Sequence, residues 1–245
     1  MKHYHAIICV MLGAFAFSAV AEDPLPKTLM TQRGKLLVSE EFAKPIEPVK
    51  HSGFASGYSG WRFNVSTKGG RWDVVDGTLK GVEIAESNHP ATACYGLVFK
   101  DVVIQCELRL HNVPLDGRKN RYMQIRTTNV KDYVATTVIS PTGLRSQADD
   151  DNPATGRTKP VAFGSVAVPV QLGEWQTVLV EIKGNEMVST LGGKSVIGEH
   201  PRIGNEKHCI MFVAGVEGGV RHFRVWEALP NPDWPKNKAQ ISKGK

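Results

Sequence analysis

The chain has 245 residues, a formal net charge of +6, and 41% hydrophobic against 22% charged residues. That length fills one large domain and leaves too little for two. The basic excess is modest and no Lys/Arg run interleaves with stacking aromatics, so nucleic acid is excluded as the expected partner; an acidic glycan or cell-surface polymer suits the charge, as does plain solubility.

Lys2 and two histidines precede an apolar run over residues 6–17, and Ala19-Val20-Ala21 follow. This is the pattern of an export signal over residues 1–21, with cleavage expected before Glu22. The apolar run falls short of the roughly 20 residues that span a bilayer, and no second run exists. The mature chain is therefore expected to be secreted or periplasmic, without a membrane span. Cys9 lies inside the apolar run with no lipobox around it. Cleavage removes Lys2, lowering the charge from +6 to +5, and leaves Cys94, Cys106 and Cys209. An odd count leaves at least one thiol free, and no C-x-x-C pair marks a redox or zinc site. Cys94 and Cys106 flank Lys100-Asp101, so a hairpin there could join them in a disulfide; buried free cysteines are the alternative.

Residues 22–34 read as a flexible leader, and the fold is expected over 35–228, opening with Leu36-Leu37-Val38. Residues 44–60 are rich in Pro, Gly and Ser and read as a loop. Residues 71–81 form a hairpin about Asp76-Gly77, the strongest turn signal in the chain. A strand through 96–100 follows. In residues 102–111, Cys106, Leu108 and Leu110 alternate with Gln105, Glu107, Arg109 and His111. Residues 121–126 repeat this, Met123 and Ile125 opposing Tyr122, Gln124 and Arg126. A strand over 133–140 turns at Pro141-Thr142-Gly143, and residues 147–159 read as a polar loop. After a strand over 161–170, residues 173–198 form a meander of three strands divided by Gly184-Asn185 and Gly192-Gly193. Residues 209–216 and 221–227 supply the last strands, and 229–245 form a surface tail. No helical period of useful length follows the signal. The pattern predicts one all-β sandwich of two antiparallel sheets with about a dozen strands.

Several chemistries are excluded. There is no H-E-x-x-H, P-loop or dinucleotide-binding fingerprint, and Gly57-Tyr58-Ser59-Gly60 is not a nucleophile elbow. The Glu-x-Asp-x-x-Glu strand that gives laminarinase-type enzymes their paired carboxylates is missing. What remains is a polar sheet face. Gln105, Glu107, Arg109 and His111 project from one strand, and Tyr122, Gln124 and Arg126 from a nearby one. Arg forks, carboxylates and a Tyr ring suit sugar hydroxyls; an ordinary solvated face is the plainer account. Glu83, Glu86 and His89 could supply acid and base from one loop, or be exposed polar residues. Asp149-Asp150-Asp151-Asn152 offers hard oxygens for calcium but lacks the spacing of a calcium loop. Trp175 and Trp226 are expected in the core, whereas Trp61 and Trp72 flank glycine-rich turns and could stack on a sugar.

The order of motifs carries a resemblance. Residues 72–81, Phe99–Arg109, Gly173–Ile182, Glu186–Gly198 and Phe223–Trp226 follow one another as in the 3-keto-disaccharide hydrolase-type family of exported bacterial proteins, within the concanavalin-like lectin/glucanase superfamily. The resemblance covers roughly residues 35–228 and implies a jelly-roll sandwich that hydrolyses or binds modified sugars. The family's Asn-Ser-Gly-x-x-x-Arg motif is matched by Asn120 and Arg126 at the same spacing, with Arg121-Tyr122 in place of Ser-Gly. Arg109 matches the arginine of the preceding strand. The Tyr-Glu-x-Gln segment is represented only by Tyr133-Val134-Ala135-Thr136, without its carboxylate and amide.

These readings give two expectations. In the first, the protein is a glycoside hydrolase acting on a saccharide held over a concave sheet face. Arg109, Tyr122, Gln124, Arg126 and Asn120 bind the sugar there, and Glu107, or Glu83 with His89, moves protons. In the second, the same face serves a non-catalytic lectin-like module. No cofactor is expected beyond the calcium option.

Overall fold

The structure, a computed structural model, describes residues 25–50, 58–64, 70–87, 89–118, 120–152 and 155–243. The export signal and its cleavage point lie outside the described residues. In chain order the strands are β1 (Thr31–Glu40), β2 (Gly60–Phe63), β3 (Arg71–Val75), β4 (Thr78–Val82), β5 (Ala91–Phe99), β6 (Val102–Leu110), β7 (Tyr122–Thr128), β8 (Tyr133–Ser140), β9 (Gly143–Asn152), β10 (Arg157–Val166), β11 (Trp175–Lys183), β12 (Glu186–Leu191), β13 (Lys194–Glu199), β14 (Lys207–Gly215) and β15 (Glu217–Pro230), followed by helix α1 (Trp234–Lys243). No described helix is long and apolar enough to cross a membrane.

The strands form two antiparallel sheets packed as a jelly-roll sandwich. The first runs β13-β12-β11-β6-β15-β4-β3, with β1 also paired to β15; the second runs β10-β9-β8-β7-β14-β5-β2. Side chains alternate along a strand, so each strand gives one row to the interior and one to the outside. Ile104, Cys106, Leu108 and Leu110 of β6 meet Met123 and Ile125 of β7 in the shared core. Trp61, Phe212 and Phe223 add a packed aromatic group, with Phe212 and Phe223 ring centroids 5.1 Å apart at 90°. Such edge-to-face pairs add about 0.5–1.5 kcal/mol beyond burial.

The turns follow their sequence signals. Asp76 (φ 48°) and Gly77 (φ 69°) carry the two positive dihedrals that a tight β3–β4 hairpin needs. The meander is β11, β12 and β13, paired in sequence.

Four readings are decided or changed. Strands β5 and β6 flank Lys100-Asp101 but go to different sheets. Cys94 faces outward from the second sheet and Cys106 faces the core, so no bond joins them; Cys94, Cys106 and Cys209 are all free and buried. Burial pushes the Cys106 thiol above its ordinary range. Residues 147–159 are not an irregular loop: β9 and β10 pair from Leu144↔Val166 to Asn152↔Arg157. Trp61 and Trp72 are each 4% exposed in the central core. Trp226 is buried in a smaller cluster with Val103, Leu179 and Ala228 on the outer side of the first sheet, while Trp175 lies half-buried on that outer side. Finally, the chain end carries a helix. Its Trp234 Nε1 donates to Glu186 Oε2 at 3.0 Å, and Lys238 pairs with the same carboxylate.

The N-terminal approach to β1 is held by a buried acid. Glu181 of β11 accepts from Leu29 N, Met30 N, Thr31 N and Thr31 Oγ1 at 2.7–2.8 Å. This ties the start of β1 across the outer face of the first sheet, in which β1 itself is laddered to β15. There Arg33 donates to Gln105 Oε1 at 2.9 Å, and its guanidinium carbon lies 4.9 Å from the Trp226 ring centre.

Candidate functional site

The sandwich separates the residues expected to share one face. Glu107 and Arg109 project outward from β6 of the first sheet. Tyr122, Gln124 and Arg126 project outward from β7 of the second. Because both rows oppose core residues, the whole thickness of the molecule lies between them. Two outward faces have therefore to be considered separately.

On the second sheet, register places β7 between β14 and β8, with β9 beyond β8. Tyr122, Gln124, Val138, Ser140 and Arg145 line a cleft of about 560 Å³ together with Asn120, Arg121 and Thr142; Gln124 and Val138 are buried at its base and Arg145 is exposed. Gln124 is only 6% exposed, and its Oε1 has no hydrogen-bond partner among the described residues. A buried carbonyl oxygen left unpaired costs about 1–3 kcal/mol, which an incoming hydroxyl would recover. Tyr122 lies flat over Gly215: a Cβ there would stand 2.5 Å from Tyr122 Cε1. Burial pushes the Tyr122 phenol above its ordinary pKa; the Glu83 charge adds to the rise, while Arg126 and Arg145 oppose it. Arg126 lies one outward position beyond Gln124, its guanidinium carbon 4.4 Å from the Tyr133 ring centre. A phenol, an amide and guanidinium groups on one rigid sheet can hold several hydroxyls at once.

On the first sheet, Glu107 is tied to Arg221 of β15, with 2.5 Å between Oε2 and Nε. Arg109, His111, Lys80, Trp175 and Arg221 line a second pocket of about 550 Å³. Glu217 Oε1 receives Lys80 Nζ at 2.8 Å and His111 Nδ1 at 3.0 Å. Burial first, then Arg109, lowers the His111 pKa against the pull of Glu217. A neutral ring that donates from Nδ1 leaves Nε2 an acceptor.

The loop candidates are engaged otherwise. Glu83 Oε2 accepts from Val216 N at 2.8 Å, across the approach to β15. His89 Nδ1 lies 2.8 Å from Pro90 O, so its proton is turned to the backbone. Glu86 is exposed. The acidic run is divided by strand alternation. Asp149 is buried and accepts from Thr136 Oγ1 at 2.9 Å, Asp150 Oδ2 lies 3.8 Å from His200 Nε2, and Asp151 pairs with Arg202. Among the described residues no group of three or more His, Cys, Asp or Glu side chains is placed to hold a metal ion.

The 3-keto-α-glucoside-1,2-lyase-like domain model matches residues 55–209. The chain belongs to this family. Among solved structures, the carbohydrate-binding module CBM66 from Bacillus subtilis is similar over 71% of this chain and 99% of its own, at 12% identity and a TM-score of 0.54. LamA from Z. galactanivorans, in complex with laminaritriose and laminaritetraose, is similar over 80% and 100%, at 12% identity and a TM-score of 0.53. SCLam, a non-specific endo-β-1,3(4)-glucanase of family GH16, is similar over 81% and 95%, at 11% identity and a TM-score of 0.52. Identities this low show a shared fold. No curated protein matches the chain.

The lyase-like domain contains the whole second-sheet cleft, from Leu115 to Arg145. The first-sheet pocket takes Glu41 from before its start and Arg221 and His222 from beyond its end. Sequence reasoning missed Arg145, although it alternates with Leu144 beyond the Pro141-Thr142-Gly143 turn. It also missed Arg221 and Lys80, which no local signal directs to Arg109.

Proposed function

We propose that this protein is an exported saccharide-recognition protein whose ligand lies in the second-sheet cleft on Tyr122, Gln124 and Arg145, with Arg126 at one end. The observation that carries this reading is the buried, unpartnered Gln124 oxygen on the floor of a cleft large enough for a sugar ring. Membership of the lyase-like family and likeness to a carbohydrate-binding module and a glucanase complex support it.

Recognition without hydrolysis fits the cleft better than carboxylate-pair hydrolysis, because its lining residues include no Asp or Glu. Glu107 lies on the opposite face and Glu83 is bonded to the backbone of Val216. One observation favours turnover: Glu83 is held on Val216 N, next to the Gly215 over which Tyr122 lies. The test is calorimetry with laminaritriose and a 3-keto-glucoside, with mass spectrometry of the same mixtures. Binding without product, weakened about tenfold or more by Gln124→Leu, is expected. Product formation lost in Glu83→Gln would replace recognition with catalysis. Binding indifferent to Gln124→Leu and Tyr122→Ala would overturn the site.

A further inference from the structure

Around the pocket on the outer face of the first sheet, most of the described cations are matched. Lys80 and His111 share Glu217, Arg221 holds Glu107, and His222 and Arg224 share Glu41 at 2.5 and 3.1 Å. Arg109 breaks the pattern. It makes no ion pair among the described residues, and its Nε is buried without a hydrogen-bond partner. Its guanidinium carbon sits 4.4 Å from the Trp175 ring centre, as does that of Arg221. The indole therefore positions two cations at the wall of one pocket of about 550 Å³.

Backbone geometry builds this arrangement. Trp175 pairs with Arg109 across β11 and β6, and Arg109 pairs with Gly219 across β6 and β15. A Cβ at Gly219 would stand 3.1 Å from Trp175 Cη2, so the missing side chain lets the indole lie across the strand. A bulge at His222 (φ 49°) separates Arg221 and Arg224 while both remain outside. The pocket then holds one planar, unmatched guanidinium beside an imidazole whose Nε2 also lacks a partner. Exposed ion pairs are worth little singly. An unmatched arginine in a formed pocket, by contrast, presents a fork of two parallel donors to a carboxylate.

We propose that this face carries a second binding site, distinct from the second-sheet cleft, which takes the carboxylate of an acidic saccharide (a hexuronate) on Arg109, with His111 accepting from a sugar hydroxyl. Lys80 and Arg221 are already matched by Glu217 and Glu107, and Glu41 and Asp76 also line the pocket, so Arg109 is the cation left for the ligand. The site stands whether or not the other cleft binds sugar, since it shares no residue with it.

The test uses trigalacturonate and its methyl ester, titrated calorimetrically into the protein at low and high salt. The indole N–H resonance of Trp175, assigned by its loss in Trp175→Phe, is followed in parallel. The acid is expected to bind, to shift that resonance and to weaken with salt, while the ester binds at least tenfold more weakly. Arg109→Gln is expected to reduce acid affinity at least tenfold. Arg109→Lys keeps the charge over the indole but loses the fork, and is expected to reduce it several-fold with an unchanged urea midpoint. Equal binding of acid and ester, no binding of the acid, or an unmoved Trp175 resonance would each overturn the proposal. So would full affinity in Arg109→Lys and Arg109→Gln. Laminaritriose binding is read in the same variants, so failure of this site and failure of the cleft are seen separately.

Discussion

The position of Tyr122 over Gly215 gives a test that needs no ligand. In Gly215→Ala the new methyl would lie 2.5 Å from Tyr122 Cε1 and 2.8 Å from the backbone oxygen of Asn120. Ordinary carbon contacts lie near 3.5–4.0 Å, so the ring must retreat by about 1 Å. The chain oxygen cannot yield as a flexible side-chain end would. Overpacking of this degree costs about 1–3 kcal/mol. Losing a glycine from the unfolded chain returns about 0.4–1 kcal/mol. The net expectation is destabilisation by about 0.5–2.5 kcal/mol, read from urea unfolding with an unchanged m value. Tyr122→Ala removes one of the two obstacles. The double variant should therefore be more stable than the sum of the single effects by about 1 kcal/mol. A Gly215→Ala variant as stable as the parent, or additive effects within about 0.3–0.5 kcal/mol, would refute the packing on which the cleft depends.

Glu181→Gln replaces a carboxylate that receives four donors with an amide that presents two of its own, and should lower stability by about 2–4 kcal/mol. Hydrogen exchange at Leu29–Thr31 should rise in the same variant; unchanged exchange would contradict the anchoring role. Burial pulls the Lys207 ammonium down from 10.5 to about 8, although its Nζ donates to Lys100 O and Asn205 O at 2.8 Å. The folded state thus releases this proton before the unfolded chain does. Stability relative to Lys207→Met should rise between about pH 8 and 10.5, and a flat difference curve would refute the shift. Cys94, Cys106 and Cys209 should resist an aromatic disulfide reagent in the native state and react after denaturation. Rapid native labelling of Cys106 would contradict its place in the core.

The two-sheet sandwich was legible because period-two patterning and paired turn residues agree along the chain. Asp76-Gly77, the Gly184 and Gly192-Gly193 turns and the alternation in β6 and β7 all set local geometry directly. The tryptophans show where alternation was informative but unused. Trp175 shares its side of β11 with Thr177 and Glu181, while Val178, Val180 and Ile182 fill the other. Trp226 likewise follows Arg224, whereas Trp61 alternates in step with Phe63 and Trp72 with Val74. Position in a strand suggested core for the first two, and flanking glycine-rich turns left sugar stacking open for the second pair. Strand parity puts Trp61 and Trp72 in the central core and Trp175 outside, while Trp226, also outward, is buried in a smaller cluster with Val103, Leu179 and Ala228.

The site was only half legible. Alternation revealed which side of β6 and of β7 is polar, but nothing local says that consecutive strands enter different sheets. That is fixed by long-range pairing, β6 with β11 and β15, β7 with β14 and β8. The same pairing brings Arg145 to Tyr122 and Arg221 to Arg109, across separations that no motif spans. The acidic run 149–152 misled because composition alone suggested a loop. Its cross-strand partners on β10, together with Thr136 and Arg202, make it part of a hairpin.

The most direct test of the central claim is to follow assigned amide resonances while laminaritriose is titrated into the protein. The account predicts the largest shifts at Tyr122, Gln124, Val138 and Arg145, with β6 and β11 unmoved, and their loss in Gln124→Leu. Shifts centred on Arg109 and Trp175 by this neutral sugar, or none on the second sheet at saturating ligand, would contradict it.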